Sequence, residues 1–440
     1  MKSQIYYFCL IVLVSLNALS SKPLKPLVSN FKSFEDDEEI ATITTDSEDE
    51  LLQAIKKLNR NGGTIYIDTP IITIKKETEI TLEGTISGGI IGIRQENGEY
   101  PRIYFDRTDK IHDLFLGGLF VDASNKFVEY LIIENSFNDG ITVTGSNNIF
   151  DHVISRYSYG SGFMIYGDFN TFNYCYSYRN CDTNSFLIFF ASGHGFRIAG
   201  ELNNAFNYCF AWDNYNSGFS YARLFNSSEL SYLHSGAWNN GNVDVFTGKY
   251  DYDTGASLDK NLWTIQDIIK SDPNFVSNYY NKKFDIDNAE IDEYSANEWV
   301  TTFAPRMEGN GFTFGNLNSS QSIDVKRNSF YNVAFDHKNG GLIDDYNHKY
   351  NAFITDCVSF NNGINFKFQY YTLSKWSNNW SWGSKSTNIL NGDAKLKRPS
   401  NTNSAQRIFY TTRNQIQNAV YANMFPDGIN FDRAISMLRE

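Results

Sequence analysis

From "GTIYI" at Gly63–Ile67 to about Phe368, β-branched and aromatic residues alternate with polar ones in short, strand-length runs, without helical periodicity. A phrase recurring in a fixed frame organises this alternation. It reads "VISRYSYGSGF" at Val153–Phe163 and "CFAWDNYNSGF" at Cys209–Phe219. Other copies are "LIIENSFNDGITV" from Leu131, "CYSYRN" at Cys175–Asn180, "SGAWNNG" at Ser235–Gly241, "NVAFDHKNGG" at Asn332–Gly341 and "CVSFNNG" at Cys357–Gly363. The frame residues Leu131, Val153, Cys175, Cys209, Ser235, Asn332 and Cys357 are separated by 22, 22, 34, 26, 97 and 25 residues. A strand-type period near 22 with insertions specifies the stacked coils of a parallel β-helix. No coil can bury its apolar face alone; stacking builds one continuous core.

Five residues after the frame position stand Asn180, Asn214, Asn240 and Asn362. At a rung spacing of about 4.8 Å such side chains can bond one another along the stack, so an internal asparagine ladder is expected at one corner. The competing reading makes them polar ligands on the surface. The frame position itself is thiol or apolar in five copies, which suits an inward-facing column.

One segment breaks the alternation early. Ser47 precedes Glu50 as in a capping box, and "ELLQAIKKLNRNGG" then follows helical spacing up to Gly62-Gly63. The pattern predicts an amphipathic helix over 48–60 that covers the open end of the stack, where backbone groups would otherwise be unpaired. Residues 243–306 lose the frame in an acidic, aromatic stretch, read as a large excursion from one corner. Residues 370–440 read as a C-terminal wrap with short helices, so the β-helix is expected over 47–369 in one domain.

Composition adds a compartment. Lys2, the apolar run Ile5–Leu19 and Ala18-Leu19-Ser20 have the pattern of a cleaved leader over residues 1–20, followed by an acidic polar segment, 21–46. A secreted protein is expected. Without that leader the charge is 37 − 50 = −13, which disfavours nucleic acid and anionic membranes as partners. Sequons at Asn226, Asn318 and Asn379 are compatible with glycosylation. Cys175, Cys181, Cys209 and Cys357 form no disulfide framework, although a Cys175–Cys181 or Cys175–Cys209 bridge is open, and no zinc spacing occurs.

Together, "GSNNIFDHVISRYS", "GHGFRIAG", "CFAWDNYNSGF", "GNGFTFGN" and "NVAFDHKNGGLIDDYNHKYNAFITDCVSFNNG" resemble the family nine pectate lyases, as does the closing "PDGINF". The resemblance implies a secreted right-handed parallel β-helix, all-β in class, acting on polygalacturonate by β-elimination. In that family aspartate-bound calcium neutralises the uronate carboxylate, and a lysine removes the C5 proton. The family's patterns are approximately A-D-G-F, S-D-D-G-W-D and G-N-G-F-K. Here the first aspartate falls on His194, the next three on Asn216, Ser217 and Ser220, and the lysine on Thr313, within an otherwise kept frame. Neutral Asn and Ser oxygens do not replace the charge that draws calcium from water, and a threonine hydroxyl is too weak a base. No calcium, and no other cofactor, is therefore expected.

Two functional readings follow. In the first, a monomeric, non-catalytic relative binds a pectin-like or other plant-type polysaccharide in the old cleft. In the second, a rebuilt, metal-independent lyase uses Arg197, Arg223 or Arg306 to neutralise a carboxylate, with His194, Tyr215 or Tyr221 moving protons. A structural or adhesive β-helix is a third possibility. Trp212 and Trp238 follow frame positions and read as packing rather than sugar platforms, and Asp344-Asp345 as a solvated turn rather than a cation site.

Overall fold

Three parallel sheets, visited in turn by each coil, carry the expected period into three dimensions. The computed structural model describes residues 39–75, 80–106, 118–136, 138–158, 160–180, 193–199, 203–221, 229–241, 309–314, 326–344, 351–368, 373–377, 379–382, 389–390 and 408–410. The expected leader, most of the acidic segment, the excursion and the predicted C-terminal helices lie outside them. Among the described residues the first and second sheets have 11 strands each and the third has 10, every pair parallel and joined to the next coil. Sheet 1 includes Ile149–Asp151 and Thr171–Asn173, sheet 2 Ile154–Arg156 and Tyr176–Tyr178, and sheet 3 Phe163–Ile165 and Phe196–Ile198.

The core is built from phenylalanine columns. On sheet 1, Phe150, Phe172 and Phe206 stack at centroid separations of 4.9 and 4.8 Å. On sheet 3, Phe163, Phe196, Phe219 and Phe312 stack at 4.6, 4.8 and 4.7 Å. The columns meet edge to face, as at Phe206–Phe219, so ring quadrupoles as well as burial favour the arrangement. The Phe of each "GF" pair enters this column. Its glycine faces the corner, where a Cβ on Gly162 would collide with Ser177 Oγ and Asn180 Nδ2.

That corner, between sheets 2 and 3, holds the asparagine ladder. Asn180 Nδ2 donates to Asn214 Oδ1 (2.9 Å), and Asn214 Nδ2 donates to Asn240 Oδ1 (3.0 Å). All are fully buried or nearly so, which removes the surface-ligand reading. The sequence reading missed one rung, five residues after Asn332, where His337 replaces an asparagine and accepts from the Asn240 backbone N–H.

The cap forms as predicted. Helix α1 spans Glu48–Asn61, with Ser47 Oγ accepting from the Glu50 backbone N–H, and it buries Leu51, Ala54, Ile55 and Leu58. Each boundary of the stack moves outward, however. Glu39–Ile43 pairs with Gly63–Ile67 and adds a strand before the helix, because "EIATI" alternates within charged flanks. At the other end Leu373–Ser377, Asn379–Trp382, Ile389–Leu390 and Ile408–Tyr410 continue the sheets, so the stack does not end near Phe368. Asn379 is itself a frame residue, 22 after Cys357. No helix among the described residues is long and apolar enough to cross a membrane.

Candidate functional site

Connection length differs from corner to corner. Sheet 1 passes to sheet 2 through a dipeptide on successive coils: Tyr130-Leu131, His152-Val153, Tyr174-Cys175, Tyr208-Cys209, His234-Ser235 and Tyr331-Asn332. The first residue of each pair takes a left-handed conformation, with φ between 49° and 58°. Their rings form a continuous column, with centroids 4.7 to 5.1 Å apart from Tyr130 to Tyr331. Those rings stack face to face, and over these six coils this corner holds no insertion, although the earlier passage from Gly88–Gly92 to Arg102–Phe105 takes residues 93–101.

Insertions flank sheet 3 instead. The segment 179–195 joins Tyr176–Tyr178 to Phe196–Ile198, 239–311 joins Gly236–Trp238 to Phe312–Thr313, and 314–325 leaves that strand for Lys326–Phe330. Long connections on a rigid scaffold are where binding surfaces are built. The outer face of sheet 3 is thus the surface that the topology selects.

One row of side chains crosses that face: Thr81, Phe120, Thr142, Met164, Arg197, Ser220, Thr313, Ile343 and Lys367. Alternation along each strand turns these residues outward while their neighbours fill the core. Among the described residues the row holds two cations, Arg197 and Lys367, and no carboxylate. Lys367 was missed by the motif reading; its signal was its register with Thr313, which only strand pairing reveals.

The segments expected to form the site do come together. His194, Asn216–Ser220 and Asn310–Thr313 occupy successive rungs at the corner between sheets 2 and 3. What their side chains do there is structural. His194 is 2 % exposed, and its Nδ1 accepts from the Ser217 backbone N–H (3.2 Å). Ser217 Oγ in turn accepts from the Asn310 backbone N–H (3.3 Å). Thr313 Oγ1 accepts from the Tyr221 N–H (3.1 Å) and donates to Phe219 O (3.2 Å), holding its own strand against the previous rung.

A calcium ion does not fit this donor set. The four side chains at the family's ligand positions carry no negative charge and are at most 4 % exposed, and two of them already accept backbone N–H bonds. No cluster of three His, Cys, Asp or Glu side chains occurs among the described residues.

The remaining expected residues separate. Arg197 is half-buried on the outer row, beside Met164 and Ser220. Tyr221, read as a substrate-facing tyrosine, points inward and is fully buried in the core, so it cannot contact a polysaccharide on the outer face. Tyr215 is 3 % exposed and packed in the corner. Arg223, Arg306, Asp345, Asn226 and Asn318 lie outside the described residues; Asp344 ends the Gly340–Asp344 strand. Asn379 is corrected as a glycosylation candidate. It is fully buried, accepting from the Cys357 backbone N–H (3.0 Å) and donating from Nδ2 to Ile354 O (2.9 Å), which leaves that nitrogen no room for a glycan.

Trp212 and Trp238 pack, as read. They stack at 4.8 Å in a column that runs from Tyr178 to Phe360 and are 7 % and 1 % exposed. Cys175, Cys209 and Cys357 are buried free thiols, so neither bridge to Cys175 forms.

Comparison with known proteins follows the same line. A family model described as "Pel9A-like, right handed beta helix region" matches residues 32–259. The solved structure "Crystal structure of pectate lyase Pel9A" is similar at 18% identity and a TM-score of 0.48, covering 80% of this chain and 76% of that one. A second, "Rhamnogalacturonan lyase", is similar at 12% identity and a TM-score of 0.45, covering 85% and 87%. No curated protein matches.

Proposed function

This chain belongs to the Pel9A-like right-handed β-helix family, and on that premise we propose that it is a secreted protein that binds an acidic, pectin-like polysaccharide on the outer face of sheet 3 without calcium-dependent elimination. The observation that carries this reading is the outer row, where, among the described residues, Arg197 and Lys367 are the charged ones, and Ser220 at one ligand position and Thr313 at the base position are short and neutral. A guanidinium offers paired donors to a carboxylate, which favours a uronate over a neutral sugar. Similarity to structures titled as lyases of pectate and rhamnogalacturonan supports a polysaccharide partner.

The rebuilt-lyase alternative loses two of its parts. Tyr221 is turned into the core, and His194 has Nδ1 committed to a backbone N–H. A general base must reach the proton it removes, and these two groups are not placed to reach one on the outer face.

The test is retention on immobilised polygalacturonate and on a neutral glucan, with chelator throughout. Preferential retention on the uronate polymer, weakened about tenfold or more by Arg197→Gln, is expected. Absence of retention on either polymer would overturn the reading. Export is tested separately by N-terminal sequencing of the mature chain, which should begin just after residue 20.

A further inference from the structure

Arg197 and Lys367 stand in one register on sheet 3, with a fixed number of rungs between them. Arg197 pairs with Ser220, and the Phe219–Phe312 pairing sets Ser220 beside Thr313. Thr313 pairs with Ile343, and Ile343 with Lys367. At about 4.8 Å per rung, these four steps separate the two cations by about 19 Å along the stack. Both side chains are half-buried. A guanidinium has five N–H donors and an ammonium three, so contacts within the protein leave donors for a ligand carboxylate.

The three positions between them are of another kind. Ser220, Thr313 and Ile343 carry no charge and are at most 6 % exposed. Thr313 Oγ1 is already engaged with the Tyr221 N–H and Phe219 O. A carboxylate set over this stretch meets no cation on the row, and over Ile343 it gives up water without gaining a partner. An ester or an uncharged sugar avoids that cost. Lys338 is exposed on the coil of Ile343, but it stands at the corner between sheets 2 and 3, off the row. The net charge of −12 acts in the same direction, because the protein repels every uronate that it does not pair.

A 1,4-linked pyranose chain advances by roughly one rung per residue, so it can follow the row with one sugar over each coil. We propose that the row recognises spaced rather than contiguous carboxylates. An acidic polysaccharide is held by two uronates about four residues apart, one on Arg197 and one on Lys367, with neutral or esterified sugars accepted between them. This rests on the polysaccharide-binding reading above and adds to it a minimum length and a charge pattern. Two linked contacts bind more tightly than either alone only when one ligand spans both.

The test titrates the full chain, with chelator throughout, with a galacturonate trimer and a hexamer. It then compares polygalacturonate with a randomly half-esterified polymer of equal length. The hexamer is expected to bind about tenfold or more tightly than the trimer. Arg197→Gln and Lys367→Gln should each abolish that gain, whereas Lys338→Gln, which removes the same charge off the row, should keep it. The half-esterified polymer should bind at least as tightly as the fully acidic one. Equal affinity for trimer and hexamer, a gain that survives both row variants, or weaker binding of the half-esterified polymer overturns spaced recognition and leaves the binding reading intact. Failure of the unaltered chain to bind any of these ligands overturns the reading itself, and the spacing with it.

Discussion

His337 Nδ1 accepts the Asn240 backbone N–H at 3.3 Å, in the position where an asparagine oxygen accepts on the rungs before and after it. Its Nε2 lies 3.1 Å from Ala237 O, the bond that Asn240 Nδ2 makes to Ala211 O one coil earlier. The neutral imidazole, protonated on Nε2, therefore reproduces both bonds of an amide. A second proton on Nδ1 would destroy the acceptor inside a fully enclosed column.

Acid sensitivity follows from this substitution. Burial depresses the His337 pKa to about 3, outweighing its backbone bonds, while in the unfolded chain the imidazole titrates near its ordinary 6.5. The folded-state pKa is the lower one, so the His337 contribution is fully present above pH 6.5 and is lost as pH falls from there towards 3. The loss approaches about 1.4 kcal/mol per pH unit in that window. Urea unfolding of His337→Asn, which restores the amide, should show a shallower decline of stability below neutrality than the parent. Equal slopes in the two proteins would refute the role assigned to the imidazole.

Packing at the "GF" pairs predicts two large losses. Phe196→Ala opens a void between two stacked rings and should cost about 3–5 kcal/mol. Gly195→Ala would place a methyl 2.6 Å from Gly218 O and 2.7 Å from Ala211 Cβ, forcing the corner apart. Chemical denaturation should show both variants destabilised, and the glycine variant should not be rescued by a small residue at 196.

Thiol accessibility gives a third check. Cys175, Cys209 and Cys357 are fully buried, and burial raises the Cys357 thiol to about 12 and the Cys175 thiol well above its ordinary range. Alkylation followed by peptide mapping should leave all three unmodified in the native protein and label them on unfolding. Rapid native labelling of any of them would mean that the stack opens locally.

Much of this architecture was legible in the sequence because a solenoid repeats its constraints at fixed intervals. The frame column, the ladder of Asn180, Asn214 and Asn240, the α1 cap and the "GF" pairs could each be read from spacing. The extra rungs at either end were not, since "EIATI" is framed by charges and Asn379 looks like a sequon as readily as a frame residue. At the site, motif comparison located His194, Ser217 and Thr313 but not their hydrogen bonds. It also put Tyr221 on the substrate side beside the ligand position Ser220, although alternation along the strand turns Tyr221 into the core.

The central claim, that the calcium-and-lysine chemistry has been replaced by a neutral, backbone-bonded corner and a cationic outer row, is tested most directly by following unsaturated product from polygalacturonate at alkaline pH. The assay is run with added calcium and again with chelator. The account predicts no calcium-stimulated product, together with polymer binding that survives chelation and weakens in Arg197→Gln. Robust product formation that requires calcium and is abolished by the chelator would contradict it.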